Sequence, residues 1–136
     1  RDLRMSRGLG DVYKRQLLES HAPVDRVVLM LGTNDCKTFY NASAEVIGLG
    51  VERLVEQIRK ADKNIRILLI SPIQLGEGVW EQGYDPEFNE KSVEVSKGLK
   101  AVYQKVAEKY GGELLLKDQG EHFEAVLLLN GVAKLE

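Results

Sequence analysis

The chain has 136 residues, 43% of them apolar and 29% charged, with a formal net charge of −2. That is enough for one domain with a real core and too little for two. The balance excludes a disordered or fibrous chain, the slight negative charge argues against nucleic acid as a partner, and no apolar run reaches the roughly 18–20 residues of a membrane span.

In chain order, residues 1–16 (RDLRMSRGLGDVYKRQ) scatter charges and glycines with no helical or strand period. The pieces RDLRMSR and VYKRQ resemble translated sequencing-adapter read-through. Residues 1–16 are therefore expected to be a non-native or disordered segment ahead of a partial domain over 17–136. The single cysteine, Cys36, excludes an internal disulfide and offers no zinc-ligand spacing, which is compatible with a reducing, cytoplasmic setting.

Leu17 to Ser20 reads as a helix end, stopped by His21-Ala22-Pro23. Residues 26–31 (RVVLML) form a continuous apolar run ended by Gly32, the habit of a strand buried on both faces of a parallel sheet. After a polar loop at 33–41, Ser43 is positioned to cap a helix running to Ala61. Its apolar stripe is Ile47, Val51, Leu54, Val55 and Ile58, while Gly48 and Gly50 weaken its first turns. Asp62-Lys63-Asn64 turns the chain into a second buried strand over 65–70, stopped by Ser71-Pro72. A long loop over 73–86 follows, a length that in a compact domain usually serves function or motion. A second helix is expected over 87–110, with Val95, Leu99, Val102, Val106 and Tyr110 on one face. Gly111-Gly112 ends it before a short strand at 113–116. This alternation is that of an α/β domain built on a parallel sheet.

Ligands of open α/β sheets bind beyond the carboxyl ends of the strands. There the first strand leads into Gly32-Thr33-Asn34-Asp35. A glycine at that point lets backbone approach a ligand, and an asparagine offers a neutral amide N–H to developing negative charge. Asn and Asp are also ordinary turn residues, so these four residues alone leave turn formation open as the alternative.

The run VVLMLGTNDCK after a buried strand resembles the G-x-N-D block of the SGNH (GDSL-type) ester hydrolases. LLESHAP before it, SAEVIGLGVERLVEQIRKA after it and ILLISPIQLGEG downstream extend the likeness over residues 17–116. The resemblance implies a flavodoxin-like three-layer α/β/α domain that hydrolyses small acyl or aryl esters or acetylated sugars through Ser and His, with no metal or organic cofactor. It implies that Asn34 donates to the oxyanion, that Gly32 permits close packing there, and that Thr33 and Asp35 stand beside the substrate, Asp35 chiefly ordering the loop.

The sequence departs from that pattern at the nucleophile. No G-D-S occurs, and the 25 residues before the first strand are fewer than the ~30 of one βαβ unit. Ser71 ends a strand on the correct side, but Pro72 beside it suits a strand stop better. The family's closing block, D-x-x-H, has only His122 as a candidate, with Gln119 at the −3 position; His21 precedes the strand. In another register the family histidine falls at Val126, and the apolar run there reads as a helix on the sheet or as frame-shifted sequence. The expectation is a hydrolase fragment without its own nucleophile, inactive alone. The alternatives are a non-catalytic flavodoxin-like binding domain and a chain with an exposed sheet edge and no stable fold. No nucleotide-binding glycine motif is present.

Overall fold

The structure is a computed structural model that describes residues 18, 20–114 and 124–128. Among the described residues four strands form one sheet in the order β1-β2-β4-β3: β1 is Arg26–Leu29, β2 Arg66–Ser71, β3 Glu113–Leu114 and β4 Glu124–Leu128. Two long helices, α1 (Ala44–Ala61) and α2 (Glu90–Lys109), accompany it.

β1 and β2 pair in parallel with Leu29 opposite Leu69, as the alternating pattern predicts, so both strands end on the same side. Val27, Leu29, Ile67 and Leu69 are buried while Val28 and Met30 are exposed, so β1 presents one face to the core. It is not buried on both faces as its continuous apolar run suggests; an apolar run fixes the strand but not what covers its second face. The chain is α/β as expected, but the sheet is mixed. The apolar run 126–129 is expected to be a helix or altered sequence; its described residues, 126–128, instead belong to β4, which runs antiparallel between β2 and β3. The reason is that a short continuous apolar run carries no period; its conformation and direction are set by what lies beside it. β3 reaches the sheet only through β4.

α1 matches its sequence stripe. Ile47, Val51, Leu54, Val55 and Ile58 are all buried, and the Ser43 hydroxyl accepts from Val46 N at 3.2 Å. α2 begins three residues later than expected. Asn89 is its cap: the Asn89 side chain accepts from Ser92 N at 3.0 Å and Ser92 Oγ accepts from Asn89 N at 3.1 Å. This reciprocal pair satisfies two of the donors a helix start leaves open.

The buried face of α2 is also rotated from the expected one. It consists of Ser92, Val93, Ser96, Leu99, Tyr103, Val106 and Ala107, with Val95, Val102 and Tyr110 half-buried at its margin. The two serines tolerate burial because each is hydrogen-bonded. Ser92 belongs to the cap, and Ser96 Oγ donates to Val93 O at 2.7 Å and accepts from Leu75 N at 2.9 Å. The two helices meet where side chains are small: Gly48 faces Val102 and Gly98 faces Ala44.

Candidate functional site

The site begins where β1 runs out of ladder partners. Past Leu29 the chain rises through Met30 and Leu31 to Gly32, whose φ of +129° is one that side-chain-bearing residues rarely adopt. A second constraint comes from α2. A Cβ at Gly32 would sit under 3.0 Å from the Tyr103 hydroxyl and 3.4 Å from Leu99 Cδ1. Tyr103 is fully buried, and its hydroxyl donates to the Leu31 carbonyl. The space left by the missing side chain is therefore filled by the protein's own tyrosine. This residue is absent from the sequence-based candidates; its signal was the i, i+4, i+7 spacing of Leu99, Tyr103 and Val106.

The next carbonyl, Gly32 O, accepts from Cys36 Sγ at 3.4 Å. Cys36 is 4% exposed. Burial, helped by the charge of Asp35, pushes its thiol up to about 11, so it is a neutral packing and capping group and not a nucleophile. Burial likewise raises Tyr103, again with Asp35 and Cys36 adding to the effect.

Between these two anchors the chain makes a single 3-10 turn, Asn34–Cys36, closed by Cys36 N to Thr33 O at 3.1 Å and Lys37 N to Asn34 O at 3.2 Å. Thr33 precedes the turn in a right-handed helical conformation and Asp35 is half-buried within it. Asn34 is exposed at the carboxyl side of the sheet, and among the described residues no side-chain hydrogen bond occupies its amide. It is thus a donor held on a fixed backbone and open to a ligand.

The outer part of this loop is tied to the long loop after β2. Thr38 N and Oγ1 both donate to Glu87 O, at 2.9 and 3.1 Å. Lys37 bonds the Glu87 carboxylate, which raises its pKa, and lies 3.9 Å from Asp85. Lys91 Nζ donates to Asn41 Oδ1 at 2.5 Å. Between these ties lies a cavity of about 50 Å³ lined by Cys36, Thr38, Asn41, Asn89 and Ser92 among others. It has room for water, not for an ester, and Asn34 does not line it.

Gly32, Thr33, Asn34 and Asp35 follow one another into this turn, and no described serine or histidine joins them. Ser71 is buried at the end of β2 and donates to Pro72 O at 3.4 Å. Ser43, Ser92 and Ser96 are committed to caps and to Leu75. Ser20 and His21 bond each other at 3.0 Å, in the segment that precedes the amino end of β1. His122 lies outside the described residues. Among the described residues no group of three metal-ligating side chains gathers, and no helix is long and apolar enough to cross a membrane.

Comparison with known proteins adds the following. Residues 3–124 match the sequence profile of the GDSL-like lipase/acylhydrolase family. Among curated proteins nothing matches. Among solved structures the chain is similar to a carbohydrate acetylesterase from Sinorhizobium meliloti, at 28% identity and a TM-score of 0.58 over 79% of this chain and 53% of that one. It is also similar to a carbohydrate acetylesterase family member from the same organism, at 31% identity and a TM-score of 0.62 over 71% of this chain and 47% of the other. An aryl esterase from M. smegmatis matches at 27% identity with a TM-score of 0.55, over 72% and 48% respectively. The chain spans about half the length of the structures it resembles.

Proposed function

Because the chain belongs to the GDSL-like lipase/acylhydrolase family, we propose that it carries the oxyanion-stabilising part of a serine ester hydrolase, with the Asn34 side-chain amide as donor. The observation that carries this reading is the placement of Asn34: exposed, beyond the carboxyl end of β1, just after two carbonyls, Leu31 O and Gly32 O, that accept from Tyr103 and Cys36.

In ester hydrolysis the carbonyl oxygen gains negative charge as the nucleophile adds. A donor that is already oriented stabilises that charge without reorganising, and losing one such donor costs about 3–4 kcal/mol of barrier stabilisation. A neutral amide suits the task because it needs no particular protonation state. Gly32 and Thr33 set the backbone of the turn, and Asp35 orders it. His122 takes the serine proton and returns it to the leaving alcohol, the ordinary division of labour in such sites.

The nucleophile is not among the described serines. No G-D-S occurs in the sequence, and each described serine is already engaged as described above. The chain alone therefore turns over no ester. Small acyl or aryl esters and acetylated sugars are the substrate classes of the complete enzyme, in keeping with the acetylesterases and the aryl esterase it resembles.

The test is hydrolysis of a short-chain aryl ester by this chain, by its Asn34→Ala variant, and by a fusion that adds the part of the M. smegmatis aryl esterase that this chain does not cover. The expected result is no turnover above buffer for the chain, activity in the fusion, and a loss of about a hundredfold or more in the fusion when Asn34 becomes Ala. Fusion activity indifferent to Asn34 overturns the oxyanion role. Turnover by the unfused chain overturns its incompleteness.

A further inference from the structure

Tyr103 stands 72 positions from the backbone it holds. It is fully buried on α2, yet its one polar atom is spent on the single carbonyl that precedes Gly32. Its hydroxyl also occupies the side of Gly32 where any Cβ would fall, so the strand end cannot tilt toward α2. Cys36 closes the same turn by donating to Gly32 O. Two successive carbonyls that have left the sheet ladder are thus each held by a side chain, and the residue that follows them by two positions is Asn34.

We propose that Tyr103 is a positioning residue for the Asn34 turn: its hydroxyl, clamped between Leu31 O and Gly32, fixes the backbone from which the Asn34 amide projects. The role of the turn rests on the oxyanion reading above. The clamp itself does not, so the two fail separately.

The test uses Cys36 as a local reporter, since it is the chain's one cysteine, is 4% exposed, and sits at the end of the turn. The rate of native-state thiol labelling is measured for the full chain, for Tyr103→Phe and for Ser43→Ala. The last is a control that weakens α1 and leaves the turn's contacts intact. All are made in a Gly50→Ala background to keep them folded, and urea midpoints are recorded alongside. Tyr103→Phe keeps the ring and removes only the hydroxyl. The clamp predicts labelling about tenfold or more faster in Tyr103→Phe than in a control of equal global stability, as expected for freeing one buried carbonyl from its donor. Equal labelling at matched stability means that Tyr103 supports the core alone, and the proposal is then wrong.

Asn34→Ala in the esterase fusion decides the other question. If it is inert while Tyr103→Phe still opens the turn, the clamp stands and the oxyanion reading falls. With both intact, Tyr103→Phe in the fusion lowers kcat and leaves KM unchanged, because the donor it positions acts in the transition state.

Discussion

Two glycines of α1 test the addition of one methyl group in opposite directions. Gly50 is exposed and nothing lies within 4 Å of where its Cβ would be. Gly50→Ala therefore gains only helix propensity, about 0.5–1 kcal/mol. Gly48 is buried, and a Cβ there would come under 3.0 Å from Val102 Cγ1. The optimum for such a carbon pair is about 3.5–4 Å, so either the helices part or Val102 leaves its rotamer. A valine in a helix is stiff at χ1, and parting the helices gives up the close packing of the same seam, where Gly98 backs onto Ala44 so closely that a Cβ on it would come to 3.1 Å from Ala44 Cβ. Overpacking of this kind costs about 1–3 kcal/mol. Set against a propensity gain of about 1 kcal/mol, Gly48→Ala lowers stability or at best leaves it unchanged. The sign should reverse in a Val102→Ala background. The clashing methyl is then gone and the nearest remaining atom, Val102 Cβ, is at 3.4 Å, an ordinary contact. Urea denaturation followed by helical circular dichroism on the four chains of this cycle measures it. A Gly48→Ala change that stabilises in both backgrounds would falsify the docking of α1 on α2 at this seam.

Three further outcomes follow from the site. Gly32→Ala meets both a positive φ, costing about 1–3 kcal/mol, and the Tyr103 hydroxyl, costing about 1–3 kcal/mol more. In a Tyr103→Phe background the nearest ring atom is Cζ at 3.4 Å, so the double variant should lose less than the sum of the singles by about 1–3 kcal/mol; strict additivity in urea midpoints would refute the contact. Cys36 has its folded pKa raised from 9.0 to about 11, so its contribution is fully present below pH 9 and is lost as pH rises toward 11. The stability difference between the chain and Cys36→Ala should therefore be flat from pH 6 to 8 and shrink above pH 9, by at most about 3 kcal/mol; a flat difference to pH 10.5 removes the burial argument. Ser96→Ala strips Leu75 N of its acceptor and should cost about 1–3 kcal/mol, read as a lower midpoint together with faster proteolytic nicking of the loop after β2.

What the sequence disclosed and what it hid divide along one physical line. Features set by neighbours in sequence were legible: the existence of β1 though not its one-sided burial, the α1 stripe from Ile47 to Ile58, the Ser43 cap, and the family. Features set by partners far along the chain were not. The helix stripe rule discounts serines, so it turned the buried face of α2 toward Val95 and Val102 and missed Ser92, Ser96 and Tyr103. Those serines are buried only because Asn89 and Leu75 bond them. The direction of residues 124–128 depends on their pairing with β2, which no period encodes. Gly32 shows the division most clearly. Its place at a strand end was readable and suggested room for a ligand. That the room is taken by Tyr103 is a fact about a residue 71 positions later. On the oxyanion reading proposed above, Gly32 then serves the backbone of the turn, and the chemistry of the block falls to the member exposed on that turn, Asn34.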